Sequence, residues 1–382
     1  MSTERPSPGP DDPPAYESHG SEIAEALKAA QATASSQSPP EQAPRDTRVT
    51  LRYTDDEGHL GARQAPDNIG RVLARQAEHN SALARELAPP SREVGVNMDR
   101  VDRYIEAKGL YAAPALLLTR SEIATFRDRL ASAAFRSSAL DELAEPEIEG
   151  GRIVVGEYIA ELGMVIVAID ASIPDMDESI RAAYLEAFVV HEKAHGSSHI
   201  SNDLTYEPEQ FARRARSGFA TNKVQPGESP SIEQASVGSF FEEAFAEFVT
   251  GEYVRDELGL PRGFWGDEGV PVHKGDPELL SKIRGVYLWP QTDGGFNYGS
   301  AAIAATGMEL LIDLRPELYQ AVYHSRNSVN GLRQVARVVN SIEPGLYERL
   351  RQLEYSQADF FTGLSEVLRA REEYLARSNN HG

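Results

Sequence analysis

Apolar residues recur at helical spacing along much of the chain. Between residues 69 and 87 they repeat every three to four positions, and Pro89 and Pro90 then end the pattern. Two shorter stretches, around 98–105 and 121–135, show the same period and predict two more amphipathic helices. From about residue 175 onward nearly the whole chain has a helical pattern. Three loops rich in Gly, Pro and Ser interrupt it, at 216–238, 259–277 and 290–297.

Only a few segments have the pattern of β-strands. Val49, Leu51 and Tyr53 alternate with polar residues, which predicts a short strand near the point where order begins. Two apolar runs, 153–159 and 164–169, are separated by four residues that end in a glycine. This spacing predicts a β-hairpin. Together with the helices, it indicates an α+β fold with a small sheet.

The first 47 residues have a different composition. Eight prolines stand among Ser, Gln, Ala and acidic residues, with almost no large apolar side chains, so the segment cannot bury enough surface to offset its chain entropy. We therefore predict a disordered, Pro-rich tail at 1–47. Within it, the run from Pro13 to Tyr16 has the PPxY form and resembles the ligands of WW domains. An accidental match in a Pro-rich segment is the alternative.

Charge and cysteine content exclude several classes of function. The 382 residues include 38 Lys and Arg against 59 Asp and Glu, a formal net charge of −21 that repels phosphate backbones and anionic membranes. We therefore expect neither nucleic-acid nor membrane partners. Because the chain has no cysteine, any metal site must use His and carboxylate ligands. The chain also has no signal-like start and no apolar run near the roughly 20 residues that span a bilayer, so we expect a cytoplasmic protein.

The segment from His191 to His195 has the form H-E-x-x-H. Histidines four positions apart lie on one helical face, about 6 Å apart, and can share one tetrahedral zinc ion. Glu192, beside the first histidine, can then reach a water molecule at the metal. The alternative is that both histidines are buried for packing and satisfied by hydrogen bonds.

A second helix downstream carries the best candidate for a third ligand. Ser239 as N-cap with Glu242 three residues later predicts a capping box, which assigns Glu242 to the start of the helix. Glu243 and Glu247 lie one turn apart on a common face and can point at the histidines, whereas a solvated acidic face is the alternative. Three aromatic residues lie on another face and can dock the helix: Phe241, Phe245 and Phe248.

Over residues 150–310 these motifs resemble the gluzincins, the zinc metallopeptidase clan that includes thermolysin and the aminopeptidase-N-like enzymes. The resemblance implies zinc bound by His191, His195 and Glu243, with Glu192 as the general base. It also implies that Glu247 orients a ligand histidine and that the hairpin at 153–169 binds a peptide along its edge. One departure is the spacing of 48 positions between His195 and Glu243, about twice that of the compact members, which predicts an inserted lid.

Two further roles have rival candidates. His199 is an alternative third ligand, although one helical turn beyond His195 it would lie too far away to complete a tetrahedral site. For the donor that stabilises an oxyanion, the resemblance to the aminopeptidase-like branch favours Tyr298, expected at the start of a helix. Three other residues are substitutes for it: Tyr287, Tyr323 and His324.

The sequence thus predicts three parts: the tail at 1–47, an added strand and helices at 48–120, and a zincin-like catalytic domain at 121–382 that is mostly helical from about 275. We expect a hydrolase, a metallopeptidase with one Zn²⁺ per chain that acts on a peptide or protein. One alternative is a non-enzymatic helical interaction module with a Pro-rich arm and structural or no zinc. The other is a regulatory peptidase of the repressor-cleaving type, to which the run from Glu242 to Phe248 is similar.

Overall fold

The structure is a computed structural model. It describes twelve stretches of the chain: 49–54, 60–64, 78–145, 154–170, 178–197, 200–207, 210–224, 235–258, 288–290, 296–298, 300–327 and 329–379. The predicted tail at 1–47, with its PPxY motif, lies outside these residues.

Eleven strands and eleven helices occur in the described stretches. The strands are β1 Val49–Thr54, β2 Leu60–Gln64, β3 Ala115–Leu118, β4 Gly156–Ile159, β5 Met164–Ala168, β6 Ile200–Glu207, β7 Gln210–Ser217, β8 Ala220–Val224, β9 Ala235–Val237, β10 Leu288–Pro290 and β11 Phe296–Tyr298. The helices are α1 over 78–87, α2 Met98–Ala107, α3 Arg120–Ser132, α4 Ser138–Ala144, α5 Glu178–Gly196, α6 Ser239–Asp256, α7 Ser300–Leu314, α8 Glu317–Asn327, α9 Val329–Ile342, α10 Leu346–Arg351 and α11 Gln357–Asn379.

A small three-stranded sheet separates two hydrophobic cores. Its order is β3-β5-β4, with β3 parallel and β4 antiparallel to β5, so the predicted hairpin is confirmed as β4 and β5. Successive side chains of β5 point to opposite faces. Val165 and Val167 belong to the core that contains α5 and α6, whereas Met164, Ile166 and Ala168 belong to the core beneath α3 and α4. Burial on both faces explains why this strand is a continuous apolar run.

A six-stranded sheet corrects the prediction for residues 200–237. Its order is β2-β1-β6-β7-β8-β9, and β1 pairs in parallel with β6 while the other pairs are antiparallel. The predicted helical pattern is wrong where the structure has β6 and β7, and the predicted loop at 216–238 is wrong where it has β8 and β9; the residues between β8 and β9 lie outside the described stretches. The long spacing between His195 and Glu243 contains strands β6 to β9. The predicted strand at 49–53 is confirmed as β1.

Helices α5 and α6 pack together at the centre of the larger core. Helix α6 is buried almost throughout, and Phe241 and Phe245 pack against Tyr347 and Tyr323 of the C-terminal helices. The predicted aromatic docking of this helix is therefore confirmed, and the alternative of a solvated acidic face is wrong because its carboxylates are buried as well. The fold is thus rich in α-helix, with the two motif-bearing helices between the small sheet and the C-terminal helices.

Helix α2, in the segment predicted as an addition, is linked to both motif-bearing helices by ion pairs. Arg100 contacts the buried carboxylate of Glu186 on α5, at 2.6 Å. Asp102 accepts a hydrogen bond from the buried ammonium of Lys193, also on α5. Just past the end of α2, the ammonium of Lys108 lies 3.0 Å from Glu252 on α6. These pairs hold α2 against the helices that carry the motifs.

Among the described residues, no helix combines the length and the apolar character that crossing a membrane requires.

Candidate metal centre

The two motif histidines lie together on the buried face of α5. The ring centroids of His191 and His195 are 4.8 Å apart, and their Nε2 atoms approach to 3.1 Å. Both residues are less than a tenth exposed. As the four-residue spacing predicts, one nitrogen of each ring faces the same point.

Helix α6 begins differently from the prediction. Its N-cap is Gly238, with φ 91°, and Ser239 is the first helical residue rather than the cap. A Cβ at Gly238 would meet the carbonyl oxygen of Phe219 at 2.0 Å, so only glycine fits this close approach in a left-handed conformation. The predicted capping box is therefore wrong. The Glu242 side chain does not cap the start of the helix.

Glu243 completes a group of three possible ligands. Its two carboxylate oxygens lie 3.5 Å from His191 Nε2 and 3.5 Å from His195 Nε2. Glu243 is itself buried. Within the described stretches, His191, His195 and Glu243 form a buried group that could hold a metal ion.

Each histidine is held from behind by a carboxylate of α6. His191 Nδ1 lies 3.0 Å from Glu247 Oε2, and His195 Nδ1 lies 3.2 Å from Glu242 Oε1. An ionised carboxylate only accepts hydrogen bonds, so Nδ1 of each ring carries the proton. In the neutral ring Nε2 then has an unprotonated lone pair, and the two lone pairs face each other. Two such lone pairs repel each other, and either a proton or a metal ion between the rings removes that repulsion.

The carboxylates around His191 favour a positive charge at its ring, either a proton or a metal ion. Burial opposes protonation of His191, but its hydrogen bonds and charge interactions with Glu243 and Glu247 raise its pKa well above the usual value. In the metal-free protein a proton therefore supplies the positive charge that these carboxylates attract. A metal ion at the same point would supply it instead.

Glu192 lies between the helix and the small sheet. It is buried, and its Oε2 accepts a hydrogen bond of 2.9 Å from the backbone N–H of Tyr158 on β4. A Cβ at Gly156, on the same strand, would lie 3.4 Å from Cγ of Glu192. Because β4 is an edge strand of the three-stranded sheet, the Glu192 carboxylate lies at the sheet edge.

None of the predicted oxyanion donors whose side chains the structure describes contacts the His-His-Glu group. Tyr298 was predicted at the start of a helix, but it ends β11, and α7 begins at Ser300. Its side chain, Tyr287 and the alternative ligand His199 lie outside what the structure describes. The hydroxyl of Tyr323 donates to Glu252, at 2.7 Å, and His324 is exposed on α8.

The sequence did not predict that Glu242 and Arg326 lie next to the histidines. Glu242 is completely buried and contacts His195, and Arg326 of α8 forms an ion pair with it at 2.6 Å. Burial favours the neutral acid, yet the charge of Arg326 and the contact with His195 hold the pKa of Glu242 at about 2. The position of Glu242 next to Glu243 was the only available signal, because no local pattern connects it with a residue 84 positions away.

The donor set indicates which metal ions this group could hold. The chain has no cysteine, and the group offers two imidazole nitrogens and a carboxylate, ligand types that suit divalent transition metals. Comparisons with protein-family models, with curated proteins and with solved structures found no match to the chain.

Proposed function

We propose that the chain is a zinc-dependent peptidase whose metal is held by His191, His195 and Glu243. The observation that supports this most is that the Nε2 atoms of the two histidines lie 3.1 Å apart, each 3.5 Å from an oxygen of the buried Glu243 carboxylate. Glu192 lies on the same helix, at the sheet edge. The proposal therefore places the metal between α5 and α6, the general base on α5, and the peptide at the edge of β4.

The donor spacing fits zinc. Two ligands about 2.0–2.1 Å from one zinc ion at tetrahedral angles lie about 3.3–3.4 Å apart. The two histidine Nε2 atoms lie 3.1 Å apart, and each lies 3.5 Å from a different oxygen of the Glu243 carboxylate. Structural zinc is normally enclosed by four protein ligands, whereas three with an open position are typical of a catalytic site. The group found among the described residues has three.

Glu192 would act as the general base. A zinc ion in such a site supplies Lewis acidity toward a carbonyl oxygen and a lower pKa for water. The carboxylate of Glu192 takes the proton from the attacking water and passes it to the leaving amine nitrogen. Its Oε2 is held by the Tyr158 N–H, which fixes the carboxylate plane and leaves Oε1 for the proton.

The edge of β4 is the proposed binding place for the substrate peptide. An extended peptide can add to an exposed sheet edge through main-chain hydrogen bonds. The N–H of Tyr158 points away from β5 and toward Glu192. A peptide carbonyl that paired here would compete with Glu192 for this N–H and would bring the scissile bond next to the carboxylate.

The proposal is tested by hydrolysis of an unbiased peptide library with purified full-length protein, followed by mass spectrometry. We expect cleavage that a chelator abolishes and that one equivalent of Zn²⁺ restores, because hydrolysis requires the metal. A protein that binds zinc tightly but cleaves no peptide would contradict the proposal and favour the alternative in which the metal stabilises an interaction module. Cleavage that persists without metal would contradict it as well.

A further inference from the structure

Arg326 is a completely buried arginine that reaches the candidate metal centre from the C-terminal helices. Its guanidinium makes two hydrogen bonds of 2.6 Å, one to each carboxylate oxygen of Glu242. It also donates to the backbone carbonyl of Ala194, at 3.0 Å, and lies over the ring of Phe245, 4.4 Å from its centroid. The planar guanidinium is thus held between α5 and α6 by both hydrogen bonds and ring contact.

Glu242 is in turn the residue that holds His195. Its Oε1 is shared by Arg326 and by His195 Nδ1, and its Oε2 is shared by Arg326 and by the backbone N–H of Phe219. Four donors therefore fix the carboxylate in one orientation. The hydrogen bond to Nδ1 fixes the tautomer and the ring plane of His195, and so the direction of Nε2.

The two histidines are supported in different ways. Glu247, which holds His191, has a second oxygen, Oε1, without a hydrogen-bond partner in the described part of the chain. Glu242 instead has a bidentate arginine. A buried carboxylate shared with a guanidinium has one fixed position, because bidentate pairs add geometric specificity to the charge interaction. Among the described residues, His195 is therefore the one of the two histidines that a bidentate ion pair connects with the C-terminal helices.

We propose that Arg326 is a positioning residue for the metal centre: it fixes the Glu242 carboxylate, which holds His195 with Nε2 directed at the donors of His191 and Glu243. The inference rests on the proposed metal site but not on peptidase activity. It makes the C-terminal helix α8 part of the metal centre, although none of its residues belongs to the His-His-Glu group.

The test is the metal affinity of Arg326→Lys, measured by competition with a chromophoric chelator and by the visible spectrum of the Co²⁺ form. A lysine keeps the charge but cannot form the bidentate pair. Loss of a partner that supports a metal ligand typically weakens binding 10- to 100-fold, and we expect this range together with an altered Co²⁺ spectrum. Native affinity and a native spectrum in the folded variant would overturn the proposal.

A double-mutant cycle separates positioning from general stability. On a Glu242→Gln background, Arg326→Lys should change metal affinity less than about twofold, because the carboxylate through which it acts is gone. On a Glu247→Gln background it should keep its full effect, since Glu247 supports the other histidine. Equal losses on both backgrounds would mean that Arg326 affects the site only through the fold, and would contradict the proposal.

Two more variants control for folding. Arg120→Lys replaces another buried arginine, one that donates to the carbonyls of Leu143 and Val154 in the other core, and it should leave metal affinity unchanged.

Gly218→Ala serves if Arg326→Lys does not fold, because a Cβ there would lie within 2.4 Å of atoms of both Arg326 and Glu242 without changing any charge. We expect it to weaken metal binding, and native affinity would overturn the proposal. Failure of the native protein to bind metal would instead refute the metal site itself.

Discussion

Replacing Glu192 by glutamine is expected to lower peptide hydrolysis by about 10²- to 10⁴-fold, the contribution typical of one acid–base group. The amide keeps the shape of the side chain and can still accept the Tyr158 N–H, so the fold should persist. Because Glu192 is not among the three possible ligands, metal content should also stay at the native level. The measurements are the rate of hydrolysis, the metal content and the melting temperature of the same preparation.

Glu186→Gln is the matched control for this variant. Glu186 is a buried carboxylate on the same helix, paired with Arg100 rather than with the histidines. We expect it to lose stability but to keep the native rate per folded molecule. If Glu192→Gln retained a confirmed hydrolytic activity, Glu192 would not be the base, and the reaction would have to occur elsewhere.

Glu243→Ala is expected to weaken metal binding more than about 100-fold. Replacing a residue that only supports a ligand typically costs 10- to 100-fold, and the loss of a ligand itself should cost more. The change leaves His191 and His195 as the only protein donors of the group. Equilibrium competition with a chelator measures the effect, and circular dichroism checks that the fold remains.

His199→Ala distinguishes the two candidate third ligands. If Glu243 is the ligand, this variant should bind metal with native affinity. Native affinity in Glu243→Ala together with weakened binding in His199→Ala would show that the third ligand lies after the end of α5, and that the assignment of Glu243 is wrong.

Local periodicity was sufficient to predict which residues share a face on each of the two motif-bearing helices. The four-residue spacing of His191 and His195 places them on one face, and the same spacing places Glu243 and Glu247 opposite them. The β4–β5 hairpin was likewise visible as two apolar runs with a short connection. The faces and the hairpin depend on residues that are close in the chain, and so the sequence pattern contains them. The contact between the two helices does not, and it was expected from the resemblance to the gluzincins.

Features that depend on distant partners could not be predicted. Strand β7 has three arginines among its eight residues and no alternation of apolar positions, and β6 pairs with β1, where Asn202 lies opposite Val49. A polar strand with a distant neighbour gives no periodic signal. The six-stranded sheet was therefore missed, although its strand β1 was predicted.

The role of Glu242 was mispredicted for a related reason. Ser239 followed by Glu242 has the form of a capping box, and local chemistry favours that reading. The close approach of Gly238 to Phe219 makes the glycine the cap instead, and the ion pair with Arg326 draws the carboxylate into the core. Tertiary contacts here override a local motif, at the point where the helix reaches the metal centre.

The measurement that tests the central claim most directly is the metal content of the native protein, determined by elemental analysis and by native mass spectrometry. Two imidazole nitrogens and a buried carboxylate at ligand spacing predict one zinc ion per chain, removed by a chelator and taken up again at a ratio of one to one. Metal-free native protein that takes up no added zinc would contradict the account, because the assigned roles of Glu192, Glu243 and Arg326 all depend on that ion.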